Sequence, residues 1–285
     1  MKLFGFGKKD SDIPKSTNTP TDSSVHTVTR DERPEAPVIR SLADQCAELA
    51  SQISREPDKV SLKDAGEFLR EALLVDPECV EAMAAAGRLG LVYEDLFGYY
   101  VPYMGEETSD PETWAFRALE LEPLHPGAWN ILCRVAAHDR DFGKTIELAE
   151  SMRENGIHTC ESLYLLAWAL KHVDREEEAL VTYNAAIEIG DGWEGRAHYE
   201  CAELLDRLDR PDEAGPHYLA AARLRPGASD RQHAAGFFFE RTGDLAAALE
   251  CWERGVSCDD TLDDIGPSMA RSGTERVRKR MAENG

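Results

Sequence analysis

His158 and Cys160 stand one residue apart, and Cys251 and Cys258 stand seven apart, on one face if the stretch is helical. Such pairs are where a zinc site begins, because zinc needs three or four nitrogen and sulfur ligands at fixed geometry. Neither pair has two further ligands near it, and the eight His residues form no H-E-x-x-H. The Cys residues are therefore read as small apolar side chains, with no metal and no cofactor expected. The stretch "MKLFGFGKK" lacks both a Ser or Thr after its Lys and a preceding strand, so it is not a phosphate loop. There is no nucleophile elbow. The acidic run "REEEAL" at Arg175 to Leu180 reads as a helix start, where Glu favours the positive end of the dipole. These patterns point away from catalysis and toward binding.

With 32 basic and 54 acidic residues, the net charge of −22 disfavours nucleic acid as a general partner. Seven scattered Cys residues without C-x-x-C argue against a secreted disulfide framework, and a cytoplasmic protein is expected. Only Leu3, Phe4 and Phe6 precede Lys8 and Lys9, far short of a signal peptide, and no segment approaches a membrane span. That start is read either as a frayed terminus or as a short aromatic and basic docking motif.

The elements that would carry a binding surface are legible in a repeat. Ala179, Tyr183 and Ala186 recur as Ala214, Tyr218 and Ala221, then as Ala248, Trp252 and Gly255. Weaker copies begin at Ala65, Pro111 and Thr145. From Pro111 onward the first members lie 34, 34, 35 and 34 residues apart. Spacings of four and three place each set on one helical stripe, small enough for another helix to approach closely. Six helix pairs follow, at about 39 to 77, 78 to 123, 126 to 157, 159 to 191, 193 to 226 and 229 to 258. Turns at Pro77, Pro123, Gly190 and Pro226 punctuate them.

Three domains are expected. Residues 1–37, rich in Ser, Thr, Pro and Asp, form a disordered tail. Residues 38–260 form the repeat array, with an aromatic insert at 93–110. Residues 261–285 form a linker and a basic helix that caps the array. The insert carries Tyr93, Phe97, Tyr99, Tyr100 and Tyr103, and is read either as a helix hairpin packed on its own array or as a second partner contact.

The register resembles the tetratricopeptide repeat family, whose pattern is W-x2-L-G-x2-Y, then A-x3-F, then P. The first half is carried by Trp129, Leu132, Cys133 and Ala136, by Leu163, Leu166, Ala167 and Leu170, by His198, Cys201, Ala202 and Leu205, and by Gln232, Ala235, Gly236 and Phe239. The resemblance covers about residues 60 to 260. It implies an all-α, right-handed solenoid of about six helix pairs that binds another protein or an extended peptide in its concave groove.

Carried onto this chain, the family's groove positions fall on Ala84 and Arg88, Asn130 and Arg134, Tyr164 and Trp168, Tyr199 and Glu203, and His233 and Phe237. Lys171, Arg196 and Arg241 are expected beside them. Rings with Arg neighbours suit a peptide bearing acidic residues, because Arg offers a bidentate fork and the ring offers rigid area. Tyr164, Trp168 and Tyr199 are expected to form one continuous platform. The alternatives are a regulatory subunit, co-chaperone or assembly factor that engages an enzyme through the insert and the tail, and an enzyme with a non-obvious site.

Overall fold

The computed structural model describes residues 59–97, 110–190, 192–258 and 265–284; within these, side chains of 59–64, 93–97 and 265 are excepted. Twelve helices follow one another: α1 (Lys59–Val75), α2 (Val80–Phe97), α3 (Pro111–Leu121), α4 (Pro126–His138), α5 (Phe142–Glu154), α6 (Cys160–His172), α7 (Glu176–Ile189), α8 (Glu194–Arg207), α9 (Pro211–Leu224), α10 (Ser229–Thr242), α11 (Leu245–Val256) and α12 (Ile265–Asn284). Each packs on the helix before and the helix after it. In addition α2 touches α4, α4 touches α6 and α6 touches α8, so these first helices of successive pairs line one face. Among the described residues there are no strands. The result is an all-α solenoid.

The repeated small residues are where neighbouring helices meet. Ala115, Ala179, Ala214 and Ala248 are fully buried, as are the second-helix rings Tyr183 and Trp252. A Cβ on Gly236 of α10 would lie 2.7 Å from the Trp252 ring, so only glycine lets α10 and α11 approach this closely. Gly273 of α12 meets the same ring. Trp252 thus sits in two glycine notches, one from the solenoid and one from the C-terminal helix. That helix buries Ala270, Thr274 and Val277 against the array, while Arg276 and Arg280 both reach Glu240 of α10.

The period also shows in the backbone. Arg140, Asp174, Asp209 and Gly243 stand at equivalent turns within pairs, with φ of 58°, 59°, 57° and 92°. Three of the four turns impose a left-handed conformation on a residue with a Cβ. Asp110, Asp141 and Asp244 cap the second helices that follow, each accepting a backbone N–H. At α7 and α9 the cap position holds Arg175 and Arg210 without a side-chain cap bond; each instead grips the Glu three residues on, Glu178 and Glu213.

Two sequence expectations change here. α1 begins at Lys59, inside the pair expected at 39 to 77, and the first helix of that pair lies outside the described residues. Tyr93 and Phe97, expected at the start of the insert, belong to α2, which at 18 residues outruns the 13 of α4 and α6. Tyr99, Tyr100, Tyr103 and the tail 1–37 lie outside the described residues.

Candidate concave binding face

Two different arrangements share the face formed by the first helices. The first is built around Glu161. A Glu in the first turn of α6 satisfies the helix dipole, and this one is also buried, at 3% exposure. Asn130 of α4 donates to its Oε2 at 3.2 Å, and Thr159 donates to Asn130 Oδ1 at 3.0 Å. Arg88 of α2 lies 3.5 Å from Glu161 Oε2, and Arg134 of α4 lies 3.8 Å from Oε1. Thr159 also caps α6, through a reciprocal bond with Ser162. Three repeats are thereby tied to one carboxylate, and buried charge of this kind persists only when it is paired.

The second arrangement is built around Trp193. Gly190 and Gly192, with φ of 63° and 100°, turn the chain so that Trp193 takes the N-cap position of α8, where it makes no side-chain cap bond. A capping bond is given up and the indole is placed against residues of the first helices α4, α6 and α8 instead. The Arg196 guanidinium lies 4.7 Å from the ring centroid and that of Arg134 lies 5.7 Å away. The Tyr164 ring sits 5.3 Å from it. Among the described residues no carboxylate is within ion-pair distance of Arg196. Burial pushes the Tyr164 hydroxyl well above its ordinary value despite Arg196, Arg231 and Arg134 nearby, so it stays protonated and can donate.

Farther along α8, Arg231 of α10 stacks on Tyr199 at 3.7 Å, and the Tyr199 hydroxyl donates to Glu203 at 2.6 Å. Lys171 of α6 pairs with Glu200, and Arg241 of α10 with Asp206 at 2.5 Å. An open groove of about 360 Å³ lies here, lined by Lys171, Glu203, Leu204, Asp206, Arg207 and Tyr218.

The structure separates several residues that the sequence grouped. Asn130 is buried within the Glu161 network rather than presented to the groove. The three-ring platform is divided: Trp168 packs on Phe142 and His172, Tyr164 on Tyr183 and Trp193, and Tyr199 on Tyr218 and Arg231. The physical reason is that side chains one helical turn apart on α6, Tyr164 and Trp168, lean toward different neighbours, the next repeat and the previous one. His233 packs on Trp252 and beside Gly266 at the start of α12, and Phe237 stands edge-on to Trp252 with half its surface exposed. Ala84 is buried at the α2–α4 crossing. Trp193, Glu161 and Arg231 are the functional candidates that sequence reasoning missed. The signal for Trp193 was its place in "IGDGWEG", where three other repeats close on Pro77, Pro123 and Pro226.

Other titratable groups serve packing. Burial pushes the Cys133 and Cys201 thiols up to about 12 and Cys251 to about 11, which keeps them protonated. His198 and His217 face each other through their Nδ1 atoms at 3.0 Å, and burial with the neighbouring His217 lowers His198 to about 4. Among the described residues no group of three His, Cys, Asp or Glu is placed to hold a metal ion, and no helix is long and apolar enough to cross a membrane.

No protein-family model and no curated protein sequence matches the chain. Among solved structures it is similar to Pseudomonas aeruginosa PilF, at 12% identity and a TM-score of 0.55, over 85% of this chain and 99% of that one. It is similar to a chain of the APC/C Cut9–Hcn1 hetero-tetramer at 10% identity and a TM-score of 0.56, over 85% of this chain and 48% of that one. A tetratricopeptide-repeat protein of Thermus thermophilus, TTC0263, aligns over 69% of this chain at 17% identity and a TM-score of 0.49. Together with the helix register, the likeness to PilF and to the Cut9–Hcn1 chain gives the fold: an all-α solenoid of the tetratricopeptide-repeat kind.

Proposed function

We propose that this chain is a non-catalytic interaction scaffold that holds an extended, acidic segment of a partner protein against the concave face of α4, α6, α8 and α10. The observation that carries the reading is Trp193, placed at the cost of a helix cap among Tyr164, Arg134 and Arg196. An indole beside guanidinium groups binds through ring area and through forked donors that match a carboxylate. Glu161 fixes Arg88 and Arg134 in place, so little side-chain freedom is lost when a ligand arrives. Arg196, without a carboxylate of its own among the described residues, supplies the charge that a partner's acid would meet.

A pull-down from native cell extract tests this. The parent chain, Trp193→Ala, Arg196→Ala and the convex-face control Val181→Ala serve as baits, each checked for an unchanged helical spectrum. The concave variants lose the parent's partners and Val181→Ala keeps them. Retention of every partner by both folded concave variants overturns the proposal.

A further inference from the structure

Resting on that reading, the groove beyond Tyr199 points to a second specificity element of the same face. Its cations are engaged: Lys171 with Glu200, Arg207 with Glu176 at 2.7 Å, and Arg241 with Asp206. Glu203 differs. Its carboxylate accepts from the Tyr199 hydroxyl, and among the described residues no cation lies within ion-pair distance of it. The groove therefore keeps one uncompensated negative charge. Its floor is Tyr218, only 6% exposed, whose hydroxyl makes no hydrogen bond among the described residues. Burial and the nearby Asp206 and Glu203 raise that hydroxyl above its ordinary value, so it remains a neutral phenol.

We propose that this groove receives a Lys or Arg side chain of the bound segment, its stem lying on Tyr218 and Leu204 and its charged head between Glu203 and the Tyr218 hydroxyl. A cation there meets an unneutralised carboxylate and a phenol oxygen that can accept from it, both suited to it. The spacing follows from α8. Arg196 and Glu203 are seven residues apart on one stripe of that helix, which is roughly 10 Å along the axis. An extended peptide advances about 3.3–3.6 Å per residue, so an acidic residue on Arg196 and a basic residue in the groove are about three positions apart.

The test uses the full chain against an array of synthetic 12-residue peptides in a Gly and Ser background. One series carries two adjacent Glu residues alone. The others add one Lys at one, three, five or seven positions from the nearer Glu, on either side. Lys at three positions, in one of the two orders, strengthens binding about tenfold over the Glu-only peptide. Glu203→Gln and Tyr218→Phe each abolish the difference between the Lys-bearing and the Glu-only peptides. A gain that is the same at every spacing reflects attraction to the acidic chain as a whole and overturns the proposal, as does a gain that survives Glu203→Gln. If the Glu-only peptides bind and lose their signal with Arg196→Ala, but Lys adds nothing, the groove proposal fails alone. If the Glu-only peptides do not bind, the concave acidic-segment reading fails with it.

Discussion

The two ends of the concave face solve one problem in opposite ways. Between α2 and α6 the first helices touch directly and their polar side chains are consumed internally: Arg88, Asn130 and Arg134 converge on Glu161. Between α8 and α10 the direct contact thins, and side chains span the gap instead, Arg231 on Tyr199 and Arg241 on Asp206. One end is a closed network that stabilises; the other is an open surface that leaves Arg196, Glu203 and Tyr218 incompletely satisfied. Equivalent positions of one repeat are thus structural in one place and available in another, and only their neighbours decide which.

The comparison breaks most visibly at Glu161. Glu161→Ala removes the buried carboxylate that Arg88, Asn130 and Arg134 share, and is expected to destabilise by about 3 kcal/mol. Denaturant titration followed by circular dichroism measures this; a loss under about 1 kcal/mol means that the network is not closed as described. At the open end, Glu203→Ala is expected to move the same midpoint little, because its carboxylate is exposed.

Next in size is Gly236→Leu. A side chain driven into the Trp252 ring overpacks the α10–α11 crossing by roughly 1–3 kcal/mol. Ala221→Leu, at a position 1% exposed, acts by the same mechanism and in the same range. Thermal melting equal to the parent would show that these crossings have room.

Acid acts on the His pair between α8 and α9, as burial also lowers His125 and His172 elsewhere. His198 and His217 both have lowered values, caused first by burial and, for His198, by the other ring; Glu194 and Glu213 oppose this. The unfolded chain therefore binds protons that the folded chain refuses. Stability is full above the ordinary His value of about 6.5 and is lost as pH falls from there toward about 4. His198→Phe is expected to flatten that part of the stability profile. A profile unchanged by the substitution would assign the acid sensitivity to other groups.

The smallest effect expected is at the left-handed turns. Arg140→Gly relieves a strained φ of 58° but adds freedom to the unfolded chain, for a net gain of about 0.5 kcal/mol. A measured loss would mean that the Arg side chain holds the turn.

The fold was legible because its determinants are local and repeated. Ala214, Tyr218 and Ala221 fall on one stripe whatever surrounds them, and the 34-residue spacing fixes which helix they meet. The site was only partly legible. Glu161 reads from sequence as a dipole-facing residue at a helix start, and its burial depends on Arg134 and Arg88, which lie 27 and 73 residues earlier. Trp193 sits in a glycine turn, where a ring has no periodic context to mark it. The platform expected from Tyr164, Trp168 and Tyr199 failed because residue spacing fixes a helix face but not the direction in which each ring leans.

The central claim is that a partner lies on the open end of the concave face, and site-directed photocross-linking tests it most directly. A photoreactive phenylalanine replaces Tyr199 on the concave side in one preparation and Val181, 71% exposed on α7, in another. After irradiation in native extract, the account predicts a discrete adduct from position 199 that an excess of a Glu-rich peptide suppresses, and none from position 181. An adduct from 181 with none from 199, or a 199 adduct indifferent to the acidic competitor, would contradict it.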